Sequence, residues 1–117
     1  HAPKIFKEDM KICWAGELET IYNHIRGLSP FPGAWTELQA IGMDGGVLTL
    51  KIFKAVKIQQ SHNRSAGEIC TDGKTFFDVY VKGGVICVQE LQLSGKKRMQ
   101  VKDFLRGFRL KDYQLIC

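Results

Sequence analysis

A small, mainly β domain carrying a helix at each end is the fold class the sequence predicts, on three observations. Apolar residues recur with a period near 3.6 only over 15–26 and 100–107. Between these segments the period drops to two, in runs punctuated by Asp-Gly, Lys-Gly-Gly and Ser-Gly turn signals. The length, 117 residues with 44% hydrophobic and 25% charged side chains, suits one core. Residues 1–117 are therefore expected to form a single domain. The same composition excludes disorder, and no apolar run approaches the ~20 residues a membrane-spanning helix needs.

Pro3 discourages a helix in the polar opening segment. Over 15–26, Leu18, Ile21, Tyr22 and Ile25 share one helical face, with Glu17 and Glu19 near the positive start of the helix. Gly27 is the expected stop, and Ser29-Pro30-Phe31-Pro32-Gly33 forbids continuation. Ala34–Ile41 then reads as a strand, Asp44-Gly45-Gly46 as a hairpin turn, and Val47–Ile58 as a long strand. Its alternation slips at Ile52-Phe53, which predicts a bulge in a strand shared by two halves of a barrel. After a polar loop over 59–66, Gly67–Cys70, Thr75–Val81 and Val85–Leu93 are further strands. The last helix should turn Val101, Phe104 and Leu105 inward and Lys102, Asp103 and Arg106 outward. Five to six strands in this order suit a partly open barrel of the OB type, with an N-terminal helix and a short C-terminal one. The aromatics Phe31, Trp35, Phe76, Phe77 and Tyr80 are expected in its core.

Charge is unevenly placed. Residues 1–39 carry four Lys/Arg and five Asp/Glu, residues 40–95 six and five, and residues 96–117 seven and two. The whole excess of +5 thus falls in the last 22 residues, a focused positive field suited to a polyanion. No catalytic constellation accompanies it. Gly73-Lys74-Thr75 imitates the end of a phosphate loop, but Gly67 stands one residue too far away and a strand follows where a helix is required. His1, His24 and His62 are scattered and expected to be exposed. Cys13, Cys70, Cys87 and Cys117 include no Cys-x-x-Cys pair, so no metal site is expected. The chain opens at His1 with neither an initiator Met nor a secretory leader, which points to a reduced, cytoplasmic fragment or processed product with free thiols.

Trp14 followed by Ile25-Arg26-Gly27-Leu28-Ser29-Pro30-Phe31-Pro32-Gly33-Ala34-Trp35-Thr36 resembles the C-terminal domain of methionyl-tRNA formyltransferases. Ala2-Pro3-Lys4-Ile5-Phe6-Lys7-Glu8-Asp9 is similar to the start of that domain. Leu91-Gln92-Leu93-Ser94-Gly95-Lys96-Lys97-Arg98-Met99, then Phe104-Leu105-Arg106-Gly107, is similar to its end. The resemblance implies a parent enzyme that moves a formyl group from 10-formyltetrahydrofolate to the amino group of methionyl initiator tRNA. Its Asn, His and Asp catalytic residues and folate pocket belong to a Rossmann-like N-terminal domain absent from this chain. No catalytic residue and no cofactor site is therefore expected here. The implied partners are initiator tRNA and the missing catalytic domain, with no membrane. The implied tRNA contacts are Lys4 and Lys7 in the opening segment, Arg26 in the motif, and Lys96, Lys97 and Arg98 in the basic turn. The alternative is a module that braces a formyltransferase acting on sugar nucleotides or folate, without nucleic acid; a brace has no use for the basic tail. Two residues depart from the pattern: Cys13 replaces an acid, and Gln100 replaces the Ser or Thr that caps the last helix.

Overall fold

The computed structural model describes residues 11–28, 33–41 and 47–116. The elements run α1 (Leu18–Leu28), β1 (Ala34–Ala40), β2 (Val47–Gln59), β3 (Ile69–Thr71), β4 (Phe77–Val81) and β5 (Gly84–Leu93). They continue with β6 (Met99–Gln100), α2 (Val101–Gly107), a 3-10 turn (Leu110–Asp112) and β7 (Tyr113–Ile116). Neighbouring strands are antiparallel in the order β3-β4-β5-β2-β1-β7, and β6 pairs with β5. This path curls into the nearly closed, mainly β barrel that the sequence predicts.

The barrel depends on β2. Its first half pairs with β1 from Ala34 opposite Ile52 to Gln39 opposite Val47, as the predicted hairpin requires. The Asp44-Gly45-Gly46 turn lies outside the described residues. From Leu50 to Gln59 the strand pairs with β5, and its register shifts twice, between Ile52 and Lys54 and between Lys54 and Ala55. That is the predicted bulge, and it lets Ile52 and Phe53 both be buried as the strand bends between the two halves. Leu50, Ile52, Phe77, Val79, Ile86 and Leu91 fill the interior. Leu18, Ile21 and Ile25 close it on the α1 side, and Val101, Phe104 and Leu105 on the α2 side, with Lys102, Asp103 and Arg106 exposed.

The helix boundaries differ from the expectation for a physical reason. Residues 13–17 are consumed by a strap: Gly16 N–H closes a turn onto Cys13 O at 3.1 Å, and Leu18 N–H reaches Lys82 O at 2.9 Å. Helix α1 therefore starts at Leu18. Gly27 does not stop it: its φ is not in the left-handed region that a glycine stop uses, and the helix runs on to Leu28, whose carbonyl accepts Gly33 N–H at 2.9 Å. The same strap is sewn to β1. Ile12 N–H donates to Trp35 O at 2.8 Å, and Lys11 Nζ meets Glu37 Oε1 at 2.8 Å. Trp14 Nε1–H donates to Thr36 Oγ1 at 2.8 Å, both residues being buried. This bond joins two residues of the distinctive Trp14…Trp35-Thr36 pattern.

Two strands escape the sequence reading. β6 has two residues, and β7 closes on β1 with Tyr113 opposite Ala40 and Leu115 opposite Leu38, so a strand follows the last helix. Some side chains also sit elsewhere than expected, His24 among them, which is half-buried. Phe76 is exposed, because its neighbour Phe77 takes the inward position, and Tyr80 is only half-buried, whereas Trp35 and Phe77 are buried and Phe31 lies outside the described residues. His62 is half-buried. Its Nε2 lies 2.8 Å from Val81 O and 3.0 Å from Gly84 O, while Nδ1 accepts Arg64 N–H at 3.0 Å. Since carbonyls only accept, the proton is on Nε2, and the ring pins the loop after β2 to the β4–β5 turn.

Candidate nucleic-acid interface

The basic turn predicted from sequence is built by β5 and β6. Ser94 N–H donates to Thr49 O at 2.9 Å and Lys96 N–H to Leu93 O at 2.9 Å, which fixes the backbone while Lys96 and Lys97 point into solvent. Gln92 Nε2 adds a bond to Lys96 O at 2.9 Å. Arg98 is held differently. It pairs with Glu90 and lies 4.4 Å from the centre of the Phe53 ring, so its guanidinium is partly committed to the barrel. Glu90 also accepts from Gln100 Nε2 at 2.9 Å, which explains why Gln100 gives α2 no side-chain cap.

Arg26 belongs to a separate cluster on α1. Its guanidinium lies 5.7 Å from the Tyr22 ring centre, and Lys57 Nζ lies 5.0 Å from the same ring while pairing with Glu19 at 2.6 Å. Lys4 and Lys7 fall outside the described residues.

A further cationic feature was not legible in the sequence. Lys74, Arg106, Arg109 and Lys111 line one groove of about 410 Å³ together with Asp72 and Asp112. Four cations against two acids leave it at +2. One wall is the β3–β4 turn, made rigid by Asp72. Its Oδ1 accepts Lys74 N–H at 2.8 Å and Thr75 N–H at 2.7 Å, and its Oδ2 accepts the Thr75 hydroxyl at 2.5 Å. The Thr75 hydroxyl, then the backbone amides of Thr75 and Lys74, hold the Asp72 carboxyl well below the usual carboxylate range. Thr71 Oγ1 closes the turn by accepting Gly73 N–H at 2.9 Å and donating to Phe76 O at 2.5 Å. Gly73 sits at φ +79°, and the stem of Lys111 passes so close that an added Cβ would lie 3.4 Å from its Cε. Gly73-Lys74-Thr75 therefore enters β4 after a side-chain-capped turn, as the rejection of a phosphate loop requires. Its lysine is nonetheless brought beside Lys111. Arg106 and Arg109, paired at 3.3 and 3.8 Å with Asp103 and Asp112, remain highly exposed.

Other ionisable groups serve the sheet. Asp78 and Cys87 are directly opposite on β4 and β5. Burial pushes the Cys87 thiol up to about 12, with the Asp78 charge and hydrogen bond adding to it, and burial also raises Asp78. Among the described residues, no three His, Cys, Asp or Glu side chains converge as metal ligands, and no helix is long and apolar enough to cross a membrane.

Residues 4–109 match the family model described as formyl transferase, C-terminal domain. A methionyl-tRNA formyltransferase of Phocaeicola vulgatus is 54% identical over 111 residues, which cover 95% of this chain and 34% of the relative. Those of Parabacteroides distasonis and Bacteroides thetaiotaomicron are 51% and 46% identical, over 92% and 95% of the chain and 33% and 34% of the relatives. The chain thus spans about a third of the length of the curated relatives it matches. With a model match over nearly its whole length, the chain belongs to the family of formyl transferase C-terminal domains.

Proposed function

We propose that this domain is the tRNA-holding part of a methionyl-tRNA formyltransferase of the cytoplasm. The full-length protein would transfer a formyl group from 10-formyltetrahydrofolate to the amino group of methionyl initiator tRNA, in translation initiation. The observation that carries the tRNA reading is the placement of charge: the +5 of residues 96–117 is displayed on an exposed turn and around a groove that also draws in Lys74. Lys and Arg at such positions neutralise phosphates and release counterions, which gives affinity and orientation with little base reading. The contacts are assigned to Lys4, Lys7, Arg26, Lys96, Lys97 and Arg98, and the groove cations Lys74, Arg106, Arg109 and Lys111 extend them. Lys96 and Lys97 carry the assignment best, being exposed on a backbone-fixed turn. Arg98 contributes through the part of its guanidinium that Glu90 leaves open.

The test is binding of initiator tRNA by the full-length protein between roughly 50 and 200 mM salt, where each phosphate contact steepens the log–log slope by about 0.7–0.9. Lys96→Glu with Lys97→Glu should weaken binding and flatten that slope while the fold persists. An unchanged affinity removes this turn from the contact surface. Binding too weak to detect even at low salt, in the unaltered protein, leaves the domain a brace for its catalytic partner.

A further inference from the structure

The outward face of the sheet formed by β2, β5, β4 and β3 is unlike a solvated one. In an antiparallel sheet with one face on a core, the other face alternates to polar side chains. Here Val79 and Ile86 are opposite one another and fully buried, so their neighbours in each strand point outward. The outward cross-strand rows are then Val56–Cys87–Asp78–Cys70 and Ile58–Val85–Tyr80, with Val85 already buried at the centre of the second. Val56 is 49% exposed, Ile58 45%, and Phe76, outward because Phe77 is buried, 37%. These are three of the five large hydrophobic side chains exposed among the described residues. Asp78 is half-buried among these side chains, and Glu68, whose carbonyl accepts Tyr80 N–H at 2.9 Å, ends the second row in an ion pair with Arg64 at 3.4 Å. The cations at its margins, Arg64 over the Tyr80 ring and Lys102 in a groove with Phe76 and Asp78, face the two acids Glu68 and Asp78, so the face holds no excess of positive charge for RNA. The relatives are about three times as long as this chain, which matches their C-terminal domain, so the larger part of such a protein precedes it.

We propose that this face docks the N-terminal part of the full-length protein: an apolar ridge of that part seats on Val56, Ile58 and Phe76, and one basic side chain meets Asp78. The inference rests on family membership and not on the tRNA reading.

The experiment uses the full-length protein with Val56→Lys plus Ile58→Lys, and separately with Phe76→Lys, which alters the opposite margin of the face should the double variant misfold. Calorimetry and limited proteolysis between the two parts are read alongside tRNA binding. The unaltered protein should unfold in one coupled transition, and both variants in two. Cleavage between the parts should rise about tenfold, the change given by about 1.4 kcal/mol of lost docking energy. The salt slope of tRNA binding should not move. Unchanged unfolding and cleavage in the folded variants overturn the proposal. So does loss of a dimer with cleavage unchanged, which assigns the face to a second copy, and so does loss of tRNA binding with cleavage unchanged, which assigns it to RNA.

Discussion

At the scale of single residues, Thr36 and Trp14 show why a sequence pattern is a physical unit. Thr36 is the one polar side chain among the fully buried described residues, and its hydroxyl accepts the indole N–H of Trp14 at 2.8 Å. Thr36→Val keeps the shape and leaves that N–H without an acceptor. The expected cost is ~1–3 kcal/mol, the penalty for orphaning a buried donor. Thermal melting should show a fall of several degrees, and Trp14→Phe combined with Thr36→Val should cost less than the sum of the single changes. Equal melting temperatures for Thr36→Val and the unaltered protein would mean that the strap is not anchored through this bond.

At the scale of elements, the β3–β4 turn is stabilised by a carboxylate that must stay ionised. Asp72 binds a proton less readily folded than unfolded, so the native state holds fewer protons wherever the unfolded carboxyl begins to titrate. The stability it contributes is present above about pH 4 and is lost as the pH falls below that, through its lowered folded value. Asp72→Asn removes the titration while an amide oxygen can still cap the turn. Urea unfolding between roughly pH 6 and 2.5 should therefore show a shallower acid limb in Asp72→Asn than in the unaltered protein. Parallel limbs would show that the turn contributes nothing to acid sensitivity. Element types were legible where the pattern was long. The Val101, Phe104 and Leu105 stripe specifies a helix whose neighbours are immaterial, and the slip at Ile52-Phe53 marks the bulge before any partner strand is known. β7 was not legible: four residues show too little alternation, and its partner β1 lies near the other end of the chain. Nor could Gly27 be read as helical, since a glycine before a Pro-rich segment is equally a stop signal, and only its backbone conformation decides between the two.

At the scale of the whole molecule, positive charge is divided between the β5–β6 turn and the Lys74–Lys111 groove. If one tRNA backbone spans both, Lys74→Glu with Lys111→Glu should flatten the salt slope by a step similar to that of Lys96→Glu with Lys97→Glu. Changing all four should add the two effects, since the sites share no partners. A groove variant that leaves the slope intact would confine the contact to the turn.

The basic tail was visible from composition, because net charge is a sum over residues and needs no fold. The helices and the long strand were visible because periodicity is a local property that burial rewards. Three things were decided only by the tertiary structure. Lys74 stands beside Lys111 because an Asp72-capped turn meets the segment after α2. Arg98 is partly spent on Glu90 and Phe53. The second apolar face of the sheet exists because cross-strand register aligns Val56, Ile58 and their neighbours. Each depends on which residues, distant in the chain, come within reach of one another, and that is settled by strand pairing and packing rather than by any run of neighbouring residues.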